Sequence, residues 1–451
     1  MRADMFLQDA SIPESNLALF DAAQARWYSY GELWSEVART AESLKGPKAL
    51  AFCFCRNNIA SVVWYLAAVE AGHSVALLDD GLTPEFKTRL IELYDPELIQ
   101  EAGQHEWRRT NAAGGTIASE LAVLLSTSGS TGSPKFVRLT AENVSANARS
   151  ISEALAIGAA DRAISSLPMH YSYGLSVLNT HLLRGASMVL TNDGLMSPNF
   201  WKLFREQECT SFAGVPYSYQ MLRRLGIDGL NVPSLRTMTQ AGGKLHTDLV
   251  AHFHEKMVER GGRFFVMYGQ TEATARIAIL PHDRLPEKLG SAGVAIPGGR
   301  FHIESDGRES GELIYTGPNV MMGYATCRED LALGDVLQGR LATGDLARLD
   351  SEGFVTIEGR MKRDAKLFGL RINLDEIESM LRAHGPTAVI SGPDKLLIYC
   401  EHGDEAAFAR YRTDLAAKLK VNHRALEFFR LERLPVNGSG KIDYQALAGA
   451  R

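Results

Sequence analysis

The sequence predicts an α/β protein built on mostly parallel sheets with helices on both faces. Three observations carry that expectation. Apolar residues at helical spacing alternate with short apolar runs through the first third of the chain, which is the rhythm of βαβ units. Further on, strand-like runs end in glycine-containing loops, at Ser211-Phe-Ala-Gly-Val-Pro-Tyr217 and at Met238-Thr-Gln-Ala-Gly-Gly-Lys244. The 451 residues, 45% hydrophobic and 22% charged, are ordinary for a globular chain. That length allows about three domain-sized units with large cores.

Residues 27–44, WYSYGELWSEVARTAESL, are amphipathic at helical spacing. KALAFCF (48–54) reads as a strand, IASVVWYLAAVEAG (59–72) as a buried helix and HSVALLDD (73–80) as another strand. Cys53 and Cys55 alternate along the first strand and so share one face. Packing explains them better than metal binding, since no partner pair with ligand spacing lies nearby. Five scattered cysteines argue for a reducing compartment. Residues 1–25 lack a basic start followed by an apolar core, and no apolar run approaches about 18 residues. A cytoplasmic protein with no membrane contact is expected. The net charge of −5, without a long basic run, gives no sign of a nucleic-acid surface. Everything before residue 120 reads as scaffold.

The chain is organised around Leu121 to Thr140, LAVLLSTSGSTGSPKFVRLT. Five apolar residues form a buried strand, and Phe136-Val-Arg-Leu139 form the next. Between them Gly129 and Gly132 allow positive φ, so successive N–H groups can face one concavity. Thr127, Ser128, Ser130 and Thr131 add hydroxyls and Lys135 adds a cation. Such a loop suits a polyphosphate, although composition alone equally allows a flexible Ser/Gly turn. Pro134 stands where the second glycine of G-x-x-x-x-G-K-[ST] belongs, so this is not that motif. After it, Thr140 is placed to cap a helix.

TSGSTGSPK resembles the phosphate-loop signature of the adenylate-forming superfamily: acyl- and aryl-CoA synthetases, adenylation domains of peptide synthetases and firefly luciferase. The resemblance recurs down to Lys441. Phe136 departs from the family's usual glycine and is expected to stiffen the loop's exit. The resemblance implies a large N-terminal ATP- and acyl-binding domain (1–359) of helix-covered sheets plus a β subregion. A hinge at 360–363, with Lys362 as pivot, would join it to a small mobile α+β C-terminal domain (364–451).

Site residues follow from the same resemblance. Thr127 to Gly132 and Lys135 would hold the phosphates of ATP. Gly242, Gly243, Lys244, Tyr268 and Gly269 would line the adenine and ribose site. Asp345 would grip the ribose hydroxyls and Arg360 would contact the nucleotide, although Gly344-Asp345 alone reads as a turn. Thr271 offers a hydroxyl near the α-phosphate. Glu272 offers a hard oxygen ligand for Mg²⁺, which favours one or two carboxylates plus phosphate oxygens. Lys441, in a Gly- and Ser-rich loop, would be the catalytic lysine, and Gly369 would meet the thiol channel. Ten residues remain after Lys441, so no carrier-protein domain is expected there.

For the acyl group, His170 and Tyr171 occupy the family's gate beside the reacting carboxylate. Gly174, Leu175, Leu178, Ala213, Thr239, Ala241, Met267 and Ala275 map to the pocket wall and are small or apolar. Amino-acid-activating relatives carry an aspartate matched here by Gly174. A buried ammonium without a counter-charge is costly, so an α-amino acid is disfavoured. Arg276 borders the same pocket; it either reads a polar or anionic group on the substrate or pairs with a carboxylate of the protein. The expected reaction joins a medium acyl or aryl acid to AMP, releasing pyrophosphate. The acyl group then passes to coenzyme A, or to the phosphopantetheine arm of a separate acyl carrier protein.

Overall fold

The computed structural model describes residues 6–101, 104–107, 116–126, 135–305, 307, 309–360, 364–367, 370–392, 394–419, 421–436 and 442–449. These form two compact units, 1–300 with 315–341, and 301–314 with 342–451. No helix among the described residues is long and apolar enough to cross a membrane.

The first unit holds two sheets. One has seven strands, in the order Gly323–Ala325, Phe136–Thr140, Leu121–Ser126, Ser74–Asp79, Leu50–Cys55, Leu98–Glu101, Gln104–Trp107. Its central strands are parallel and buried on both faces, which is why LAFCFC reads as an unbroken apolar run. Ala51, Cys53 and Cys55 join a core that contains the helices Tyr30–Ser43, Ile59–Glu70 and Ser172–Leu183. Leu50, Phe52 and Phe54 face a second core with Tyr94 and Phe136. The shared face expected for Cys53 and Cys55 is present, and all five cysteines are free.

The other sheet has nine strands and contains the parallel set Ser211–Gly214, Thr237–Gln240, Arg263–Tyr268. Helix starts follow local chemistry. Ser29 and Glu32 form a capping box on the first helix, and Thr140 with Asn143 does the same on Ala141–Ala154.

The second unit contains a two-stranded and a three-stranded sheet, and most of a four-stranded sheet of Arg300–Glu304, Gly311–Thr316, Arg340–Leu349 and Val355–Arg360. Gly344 and Asp345 lie inside the ten-residue strand Arg340–Leu349, not in a turn; Gly344 takes φ of +72° within it. Val436 and Ile442 pair as an antiparallel bridge on either side of 437–441.

Candidate active site

Ser211–Gly214, Thr237–Gln240 and Arg263–Tyr268 run in register, and their carboxyl ends lead into the helix Pro216–Leu225, the loop 241–244 and the turn 269–273. Ligands of open α/β sheets bind at such ends. The Ala241 amide donates to the Gly214 carbonyl at 3.2 Å, and Gln240 Nε2 donates to the Gly243 carbonyl at 2.7 Å. Gly242 has φ of +84°, while Gly243 and Lys244 are exposed. Tyr268 is half-buried at the end of its strand. Gly269 is forced by close approach: a Cβ there would lie 2.0 Å from the Ala275 carbonyl oxygen.

That approach is made by a strained turn. Thr274 has φ +66° and ψ −64°, and the Ala275 amide reaches back to the Ala273 carbonyl at 2.7 Å. This is a γ-turn with positive φ at a β-branched residue, which costs about 1–3 kcal/mol. Its surroundings hold it. Thr274 Oγ1 donates to the Asn319 carbonyl at 2.8 Å, and Asn319 Nδ2 donates to the carbonyls of Ala273 and Arg276 at 2.9 and 3.0 Å. Asn147 Nδ2 adds a bond to the Arg276 carbonyl at 2.9 Å. The turn thereby fixes Glu272 before it and Arg276 after it.

Glu272 Oε1 accepts from the Tyr324 hydroxyl at 2.7 Å. The Lys135 ammonium lies 3.1 Å from the centre of the Tyr324 ring. Ser172 Oγ and Thr271 Oγ1 are 3.3 Å apart. Tyr324 is the residue that motif reading misses. Its place depends on the strand Gly323–Ala325 pairing with Phe136–Thr140, a contact no local pattern announces. Among the described residues no three His, Cys, Asp or Glu side chains cluster into a metal cage. A single carboxylate with one oxygen held by a tyrosine does fit an Mg²⁺ that draws its other ligands from phosphate and water. Phe136 is 1% exposed, with its ring 4.8 Å from Tyr94 and 6.1 Å from Phe52. It therefore fills the core beneath the loop's exit.

The helix Ser172–Leu183 turns Tyr173, Ser176, Val177 and Thr180 toward a cavity of about 40 Å³ whose wall also includes Ala213, Thr239, Met267 and Arg276. Those helical positions follow the i, i+3, i+4, i+7 rule. Leu175 and Leu178 lie on another face and pack into the core with Val62 and Met188. At Gly174 a Cβ would stand 2.2 Å from the Pro168 carbonyl oxygen, so this backbone admits no side chain there. Ala241 and Ala275 are buried but do not line the cavity.

His170 Nε2 stands 3.9 Å from Asp79 Oδ2, and the Tyr171 and Tyr173 rings meet edge to face at 6.3 Å. Burial pushes the Tyr171 phenol up to about 12. Tyr173 donates to the Thr239 carbonyl at 2.8 Å. Arg276 is 2% exposed, and its guanidinium lies 3.7 Å from the Tyr173 ring centre.

In the second unit Asp345 and Arg360 are cross-strand partners, with Arg360 Nε 3.1 Å from Asp345 Oδ1. The Arg360 amide also donates to Asp375 Oδ2 at 3.0 Å. Thr127, Ser128, Gly129, Ser130, Thr131, Gly132, Lys362, Gly369 and Lys441 lie outside the described residues.

The chain belongs to the AMP-binding enzyme family, which it matches over residues 90–325. It is an AMP-forming acid–thiol ligase. It is 33% identical over 404 residues to the 2-succinylbenzoate–CoA ligase of Bacillus subtilis (strain 168), covering 85% of this chain and 79% of that protein. It is 31% identical over 348 residues to a feruloyl-CoA synthase of an Amycolatopsis species, covering 72% of this chain and 68% of that one. Among solved structures it resembles the o-succinylbenzoate CoA synthetase of Bacillus subtilis in complex with the acyl-adenylate intermediate OSB-AMP. The TM-score is 0.80 and the identity 25%, over 100% of this chain and 99% of that one. The same enzyme bound to ATP and a magnesium ion gives a TM-score of 0.78 at 25% identity, over 99% of both chains.

Proposed function

We propose that this protein is a cytoplasmic enzyme that activates an aryl or medium acyl acid with ATP and passes the acyl group to coenzyme A. A substrate carboxylate oxygen attacks the α-phosphorus and pyrophosphate leaves, giving an acyl-adenylate. A thiol sulfur then attacks the acyl carbon, the C–O bond to phosphate breaks, AMP departs and the thiol proton passes to solvent. The observation that carries the reading is the cluster of Thr271, Glu272, Tyr324 and Lys135 at the carboxyl edge of the strand Arg263–Tyr268. Relatives that act on 2-succinylbenzoate and ferulate favour an aryl acid and coenzyme A.

The protein's part is positioning and charge stabilisation. Thr127 to Gly132 and Lys135 hold the β- and γ-phosphates, and Tyr268 with Gly242 and Gly243 receives adenine. Asp345 takes the ribose hydroxyls. Glu272 would hold Mg²⁺, which when bound would offset charge on the phosphates. Gly174 supplies no carboxylate where an α-ammonium would need one, which disfavours an α-amino acid.

Lys441 stabilises charge on the attacking carboxylate and α-phosphate, and a swing about Lys362 withdraws it before the thiol enters past Gly369. Pyrophosphate exchange over a panel of acids, followed by coenzyme A or a carrier protein, tests the reading. Absence of exchange with every acid overturns it. Lys441→Ala should lower adenylate formation about 10²–10³-fold. It should spare thioester formation from supplied acyl-adenylate; equal losses in both half-reactions would mean that no swing occurs.

A further inference from the structure

We infer that the acid carries a second anionic group, remote from the activated carboxylate, and that Arg276 reads it. This rests on the acid-activating function proposed above and narrows its substrate class. Arg276 lines a cavity that runs along the parallel strands from their first residues, Ser211, Thr237 and Arg263, to Ala213, Thr239 and Met267. Its Nε has no hydrogen-bond partner, and no carboxylate among the described residues lies within ion-pair distance of it. An arginine stays protonated in proteins, and a charge buried without an opposite charge is strongly unfavourable. The Tyr173 ring at 3.7 Å offers its π face but no negative charge.

The side chain is held in this place. The γ-turn at Thr274 and the side chains of Asn147 and Asn319 fix the backbone of Arg276 on both sides of its peptide groups. The other charged groups on the cavity wall are already engaged. Asp161 accepts from the Gly158 amide at 2.8 Å and from Thr210 Oγ1 at 3.4 Å. Arg263 donates to Thr237 Oγ1 at 3.2 Å. One positive charge is left over, beside about 40 Å³ of space. That is room for about three water-sized groups, the heavy-atom count of one carboxylate.

The test uses matched acids: hexanoate against hexanedioate, and 4-oxo-4-phenylbutanoate against its ring-carboxylated form, 2-succinylbenzoate. In pyrophosphate exchange the wild type should prefer the diacid of at least one pair by about 10²-fold or more in kcat/KM. Arg276→Met should bring that preference to within about threefold, and Arg276→Lys should keep its direction. Thermal unfolding without ATP gives an independent readout: the preferred diacid should raise the midpoint of the wild type but not that of Arg276→Met. A preference for the monoacid in both pairs, or equal losses for both members in Arg276→Met, overturns the inference. If no acid supports exchange, the activation reading fails. The inference then stands on a midpoint shift that needs Arg276, and falls without one.

Discussion

Arg138 and Arg276 are both sealed from solvent, yet they are held in opposite ways. Arg138 Nε donates to the Tyr324 carbonyl at 3.1 Å, and Nη2 donates to the carbonyls of Met322 and Gly334 at 3.4 and 3.3 Å. Nη1 donates to the Leu333 carbonyl. Its charge is spread over four main-chain acceptors, and in return it ties down the strand that carries Tyr324. Arg276 meets an aromatic face and a cavity, and its Nε is left unbonded. Burial alone therefore does not say what an arginine is for; the inventory of its acceptors does.

The sharpest break of this comparison is in stability. Arg138→Met should destabilise the protein by about 3–5 kcal/mol, because it removes a buried charge that bonds four main-chain carbonyls. Arg276→Met should leave the unfolding midpoint unchanged or raise it, since no bonded acceptor is lost. Denaturant unfolding of both variants decides, and similar losses would mean that the two arginines serve alike.

A second effect reaches from Arg138 to Glu272 through Tyr324. Tyr324→Phe keeps the ring under Lys135 and removes the bond to Glu272. The Mg²⁺ concentration needed for half-maximal ATP binding, read by calorimetry, should rise about 10-fold. An unchanged Mg²⁺ requirement would remove Tyr324 from the site.

The smallest effect concerns the far wall of the Arg276 cavity, where His181 is buried with Nδ1 2.8 Å from the Val177 carbonyl. Burial lowers its pKa below the ordinary value of 6.5. The folded state thus binds the proton less readily than the unfolded chain. This contribution is fully present above pH 6.5 and is lost as pH falls from there toward the folded value. His73 is lowered in the same sense, so His181→Gln should flatten the loss of stability between pH 7 and 5 without abolishing it. An identical slope in the variant would show that His181 protonates freely in the fold.

Sequence reading reached the strands and the glycine-rich ends because these rest on local pattern. LAFCFC, Thr140 and the strand before Tyr268 all lie where apolar period and capping chemistry put them. It failed to give the phase of the helix Ser172–Leu183: Gly174, Leu175 and Leu178 were named from the family resemblance, and only the structure shows that Tyr173, Ser176 and Thr180 face the cavity. It failed again at Tyr324 and Arg138, whose partners lie on strands far apart in sequence. The partnership of Asp345 with Arg360 was not legible, because it needs the antiparallel register.

Phe136 bears on how such a chain can change over generations. With Tyr94 and Phe52 it forms one packed aromatic cluster. A one-step replacement by the family's usual glycine would open a void worth roughly 3–5 kcal/mol, a large share of a typical domain's stability. A lineage can reach that glycine only after its neighbours have grown to fill the space, so residues 52, 94 and 136 are bound to drift together. The residue that opens the strand after the Ser- and Gly-rich segment is thus tied to two rings outside that segment.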